Sequence, residues 1–130
     1  MVAASTYLED EILDHIFGEG VRDFVSPPTL FLSLHTETPT DAMNAGEISG
    51  NGYARAALAF GAASAGVTSN TAQITFTASG GNWGTITHIG IFDAATAGNG
   101  IFHGALTASR IVNDGDDLVF AIGDIDCSLV

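Results

Sequence analysis

Four histidines, one cysteine and fifteen carboxylates are the groups in this 130-residue chain that metal or acid-base chemistry would draw on. His15, His35, His88 and His103 stand singly. None shows the close His or Cys spacing by which one helix or turn aims several ligands at an ion. They read as isolated strand or surface histidines with ordinary hydrogen bonds, and no metal site is expected. The run Asn113-Asp114-Gly115-Asp116-Asp117, followed by Asp124 and Asp126, offers the hard oxygens that calcium takes. It lacks the ligand order of an EF-hand loop, and Asn, Asp and Gly between two strands are what a hairpin turn requires. A turn is therefore expected there.

Nucleophilic catalysis needs Ser, Thr or Cys beside a base in a shaped pocket, and no G-x-S-x-G elbow is present. Ser49 lies in Ile-Ser-Gly, with the wrong flanks. Gly50-Asn51-Gly52 and Gly80-Gly81 lack the following helix and lysine of a phosphate cradle. Fifteen acids offer many carboxylate pairs for glycoside cleavage, so no chosen pair is informative. Cys127 has no second cysteine to pair with and reads as a small buried hydrophobe. The sequence thus predicts no catalytic residue, no cofactor and no enzymatic activity. Trp83, in Gly81-Asn82-Trp83-Gly84, reads equally as an interface anchor and as a lid over one end of a β core.

Charge narrows the partners. Three arginines, Arg22, Arg55 and Arg110, and no lysine face fifteen acids, a net charge of −12 at pH 7. Such a field repels phosphate, so nucleic acid and anionic lipid are excluded as main partners. The surface is expected to face solvent or a basic protein. The three arginines are candidate ion-pairing positions, either across an interface or as internal partners of the acids. No apolar run approaches the ~18 residues of a membrane span. The N-terminal stretch carries Glu9, Asp10, Glu11 and Asp14 where a signal peptide has its apolar region, so export is not expected.

The elements that must position these residues are one helix and a set of strands, in one domain over residues 1–130. Leu8, Ile12, Leu13, Ile16 and Phe17 recur at helical spacing over residues 6–17, with the acids facing away. Thr6 and Glu9 fit a capping box and Gly18 fits a stop. The apolar face of Leu8, Ile12 and Ile16 is a candidate interface, as is the Trp83 end. After Pro27-Pro28 the composition turns to short β-like runs between Gly, Asn, Ser and Asp. Strands are predicted over 29–36, 53–60, 72–77, 85–93, 100–107, 109–112, 117–122 and 125–129, with the Gly/Ala/Ser/Asn stretch 61–70 as a loop. Turn signals about every ten residues, with no crossover helices, predict a mainly β fold. This would be an antiparallel β-sandwich or barrel of about eight short strands with one N-terminal amphipathic helix. Alternation gives the first strand one buried face, Leu30, Leu32 and Leu34, and one open face, Phe31, Ser33 and His35. Strand 85–93 is apolar on both faces and is expected to be central.

Several ordered strings extend the reading. Residues 7–17 (YLEDEILDHIF), 30–36 (LFLSLHT), 47–55 (EISGNGYAR), 69–70 (SN), 83–95 (WGTITHIGIFDAA) and 104–106 (GAL) together resemble a family of short structural proteins of tailed bacteriophages. Its members are commonly labelled tail-fibre or minor tail proteins. The resemblance implies a non-enzymatic virion protein, made in the host cytoplasm and partnered by the major capsid protein or another virion protein. The small size, the absence of fibrous repeats and the acidic surface favour an outer capsid decoration (cement) protein over a tail position. A homo-oligomer, a trimer at a symmetry axis, is expected. The alternatives are a minor tail, tail-fibre or baseplate component and, more remotely, a carbohydrate-binding module or small hydrolase.

Overall fold

The computed structural model describes residues 2–18 and 29–129. In chain order it contains β1 (Ala3–Ala4), α1 (Thr6–Phe17), β2 (Leu30–His35), β3 (Ala56–Leu58), β4 (Val67–Ser69), β5 (Ile74–Thr77), β6 (Gly84–Phe92), β7 (Gly100–Val112), β8 (Asp117–Phe120) and β9 (Asp126–Ser128). The fold is mainly β, with every strand pairing antiparallel. Arg22 and Pro27-Pro28 lie outside the described residues.

The helix has the predicted bounds. Its N-cap is Ser5 rather than Thr6: the Ser5 hydroxyl accepts from the Leu8 N–H and donates to the Gly100 carbonyl, so one side chain both starts the helix and ties it to β7. Gly18 closes it in the left-handed conformation, its N–H returning to the Asp14 carbonyl.

Five strands form one sheet in the order β1-β7-β6-β2-β3, while β5-β8 and β4-β9 form two-stranded ladders. All share one core. Leu32, Leu34, Ile86, Ile89 and Ile91 from the large sheet pack with Ile74, Phe76, Leu118 and Phe120 from β5 and β8, and with Cys127 from β9. As predicted, β6 is central, flanked by β2 and β7. A break in register between Ile86 and His88 shifts the alternation, so Ile86 joins Ile89 and Ile91 in the same core.

Three expectations are corrected. The face of β2 carrying Ser33 and His35 is buried, both residues at 1% exposure or less, because the segment after β2 folds back over it. The Met43 side chain reaches the backbone at Gly90 and Gly100 there. A Cβ at Gly90 would stand 2.6 Å from Ser33 Oγ, so only glycine lets this layer close. Second, the predicted loop 61–70 contains β4, whose Val67 pairs with Ser128 of β9. Third, the strands predicted over 100–107 and 109–112 are one strand, β7, which loses its ladder to β6 where the gap was placed: Ala105 lies opposite His88 and Arg110 opposite Ile86.

Candidate functional site

The 47–55 string meets the 83–95 string at both ends of β6, at Trp83 before the strand and at Ala94 after it. The turn Gly50-Asn51-Gly52 takes positive φ at all three positions, 75°, 52° and 78°, which Gly and Asn tolerate, and so turns the chain back to bring Tyr53 and Arg55 beside Glu47. Arg55 Nε and Nη2 donate to the two Glu47 carboxylate oxygens, each at 2.8 Å. Its Nη1 donates to the carbonyls of Ala94 and Ala97 at 2.9 and 2.8 Å, and its guanidinium carbon lies 3.6 Å from the centre of the Phe92 ring. One planar cation thus joins the 47–55 segment to the turn after β6. The Tyr53 hydroxyl donates to Glu47 Oε1 at 2.8 Å and accepts from the Leu34 N–H at 3.2 Å.

Electrostatics follow from this packing. Burial by itself raises the Glu47 carboxyl, but hydrogen bonds from Arg55 and Tyr53, with the Arg55 charge, outweigh it and hold the group below its ordinary value of 4.5. Burial, with the Glu47 charge beside it, pushes the Tyr53 phenol far above its ordinary range. The arrangement is a closed ion pair in which each guanidinium nitrogen donates at least one hydrogen bond. Its adjoining cleft of about 320 Å³ is lined by Ile48, Ser49, Gly50, Ala54 and Thr96 as well as by the pair itself.

The other string residues are equally occupied. Trp83 is buried at 7% exposure, donates from Nε1 to the Asn51 carbonyl at 2.9 Å and meets Tyr53 and Phe76 edge-on. Asn70 is buried and donates to the carbonyls of Ala72 and Ala121 while accepting from the Ile125 N–H, which fixes the turn before β9. The Asp93 carboxylate accepts from the Asn99 N–H and amide and shapes the turn between β6 and β7.

Sequence spacing gave no reason to group the histidines, yet register places three on one face of the sheet: His35 lies opposite His88, and His103 lies opposite Gly90. His35 Nδ1 lies 2.8 Å from the Ala45 carbonyl, which only accepts, so Nδ1 carries a proton; the neutral Nε2 then accepts from Ser33 Oγ at 2.8 Å. Both ring nitrogens are engaged. Among the described residues no three His, Cys, Asp or Glu side chains are placed to hold a metal ion. Within the 113–117 run the Asp116 side chain accepts from the Asn113 N–H, as the predicted turn requires. Burial, aided by the Asp126 charge, pushes the Cys127 thiol up to about 12, so it is protonated at neutral pH.

His35 carries a pH prediction. Burial lowers its pKa below 6.5, with the Arg55 and His88 charges acting the same way and the Ala45 hydrogen bond and Glu47 charge opposing. A depressed histidine leaves the unfolded chain binding more protons as pH falls below 6.5, so stability drops over that window and levels off below the folded pKa. The stability difference between wild type and a His35→Gln variant is expected to narrow between pH 7 and pH 5 in urea titrations. A constant difference would show that the ring takes up its proton equally in the folded and unfolded chain, with no depression by burial.

The predicted interface residues separate by burial. Leu8 and Trp83 sit in the chain's own core and present no free side-chain surface. Ile12 is half-buried, and the apolar face opens toward the helix C-terminus, where Leu13, Ile16 and Phe17 are exposed. Leu13 and Phe17 thus belong to the exposed patch beside Ile16, in addition to the expected face of Leu8, Ile12 and Ile16. Arg55 is an internal ion-pair partner, with a side chain only 7% exposed. Arg110 is exposed and makes no ion pair among the described residues. No described helix is long and apolar enough to cross a membrane.

A family model described as podophage GP4 fiber I protein gp80 matches residues 3–128. The chain belongs to this family. A comparison with curated proteins finds no match. Membership makes the chain a structural component of the phage virion, with a fibre label. The family match spans the whole cluster of engaged string residues, from Glu47 to Asp93.

Proposed function

We propose that the chain is a non-enzymatic structural subunit of a podophage fibre. The family match over residues 3–128 carries this reading. It is supported by the state of the string residues: Glu47, Tyr53, Arg55, Asn70, Trp83 and Asp93 all bind one another or nearby backbone, so they hold a framework in shape. The net charge of −12 argues against contact with DNA and for another virion protein as partner. The exposed apolar end of α1, with Leu13, Ile16 and Phe17, is the proposed contact between copies in a homo-oligomer, a trimer by the symmetry of such assemblies.

Decoration of the outer capsid is the second reading, favoured by the small size and acidic surface. Copy number per purified particle, measured by quantitative mass spectrometry against the major capsid protein, separates the two. A few to a few tens of copies are expected for a fibre subunit. A ratio near one to one would move the chain to the head lattice, and absence from the particle would overturn both readings.

A further inference from the structure

Two strand edges border one open cleft. β7 pairs with β6 along one side, but on the other β1 covers only Phe102 and His103. Among the described residues no strand pairs with that outer edge over 105–111. β8 likewise pairs with β5 alone. Between the β7 and β8 edges lies a cleft of about 490 Å³. Its floor is the buried Ile89, Leu118, Phe120 and Ile125, and Arg110, Asp124 and Asp126 line it as well.

An unpaired edge is a template for a further strand, which proteins usually block with charge or proline. The segment 105–111 (ALTASRI) has no proline and a single charge. Its ladder to β6 is also broken over 106–109, so among the described residues those four have no strand partner on either side. The edge does accept a strand: β1 is seated on it, Ala3 opposite His103, and Val2, next in line toward the free stretch, lines the cleft.

Charge selects the occupant. With three arginines and no lysine, a second copy has few cations to set against the two cleft carboxylates, whereas a basic segment of another protein meets both of them and the field of the whole chain. We propose that the cleft takes an extended, lysine- or arginine-bearing segment of another protein, added as a β-strand along β7. Alternate side chains of such a strand point to opposite sides, one apolar set onto the Ile89–Phe120 floor and one basic set outward toward the acids. The proposal holds for a fibre or a head position alike and so stands apart from the copy-number result.

The test uses the full chain and a fluorescein-labelled nine-residue peptide of alternating valine and lysine, with a valine-glutamate peptide as control. Fluorescence anisotropy is expected to show at least tenfold tighter binding of the lysine peptide, and hydrogen exchange to show protection of the 105–111 amides on binding. Ala108→Lys, which puts bulk and like charge on an exposed cleft position, is expected to weaken binding at least tenfold, while Asp10→Asn on the exposed face of α1 leaves it unchanged. Equal loss in both variants without protection at 105–111 would reduce the effect to diffuse charge attraction and overturn the proposal. A dimer of the free chain with 105–111 already protected would overturn it in favour of a second copy, and absence of binding would overturn it outright.

Discussion

The Arg55→Ala variant is expected to melt about 10 °C below the wild type. The side chain is almost fully enclosed and serves three acceptor groups, Glu47 and the carbonyls of Ala94 and Ala97, while covering the Phe92 ring. Truncation leaves a part-buried carboxylate without its cation and two carbonyls without their donor. Breaking a buried pair from one side typically costs ~3 kcal/mol or more. With an unfolding entropy of ~2.1 cal/mol/K per residue, a loss of ~3 kcal/mol in 130 residues lowers Tm by ~11 °C. Arg55→Lys keeps the charge but loses the planar fork, so it should fall between the two.

The pH dependence identifies the cause. Glu47 titrates below 4.5 in the folded chain, so its contribution is fully present above 4.5 and is lost as pH falls through the folded value. The deficit of Arg55→Ala measured by calorimetry should therefore be largest at neutral pH and shrink below pH 4.5. An unchanged melting temperature at pH 7 would show that water replaces the guanidinium at no cost and would remove Arg55 from the framework.

What the sequence made legible was local. Residues 6–17 announced a helix because Leu8, Ile12 and Ile16 recur within a few positions, and Gly18 marked its end. Ser5 and Thr6 are adjacent cap residues with equal local credentials, and what favours Ser5 is its second bond, to the Gly100 carbonyl 95 residues away. β6 read as central from nine consecutive positions, yet its register break could not be seen, since a bulge is a property of two strands. The Ser33 and His35 face read as open because Met43 and Ala45, which cover it, belong to a segment with no regular pattern. The 47–55 and 83–95 strings were recognisable as strings, but that Glu47, Arg55 and Phe92 form one cluster depends on the pairing of β2 with β6. The outer edge of β7 was invisible for the same reason: which strand lacks a neighbour is decided only when all the others have found theirs.

Trp83→Ala is expected to have the largest effect of any single truncation in the chain. Trp83 packs edge-on against Tyr53 and Phe76, with ring centres 5.7 and 6.5 Å away, and Phe76 in turn meets Phe120 at 6.3 Å. Its removal would open a cavity shared by the large sheet and the β5-β8 ladder and would strip the Asn51 carbonyl of its indole donor. Large aromatic truncations in a packed core cost ~3–5 kcal/mol. That is a large share of the ~5–15 kcal/mol by which a domain of this kind is stable, so the variant should melt ~15 °C lower or fail to accumulate as folded protein. Trp83→Phe separates the two contributions. It keeps an aromatic ring against Tyr53 and Phe76 but cannot donate to Asn51, and a loss of ~1–2 kcal/mol is expected from the orphaned carbonyl and the smaller volume. The indole also reports directly on its surroundings: burial predicts a blue-shifted fluorescence maximum that moves red only as the chain unfolds. A red emission maximum in the folded wild type would place Trp83 at the surface as an interface anchor and remove it from the core.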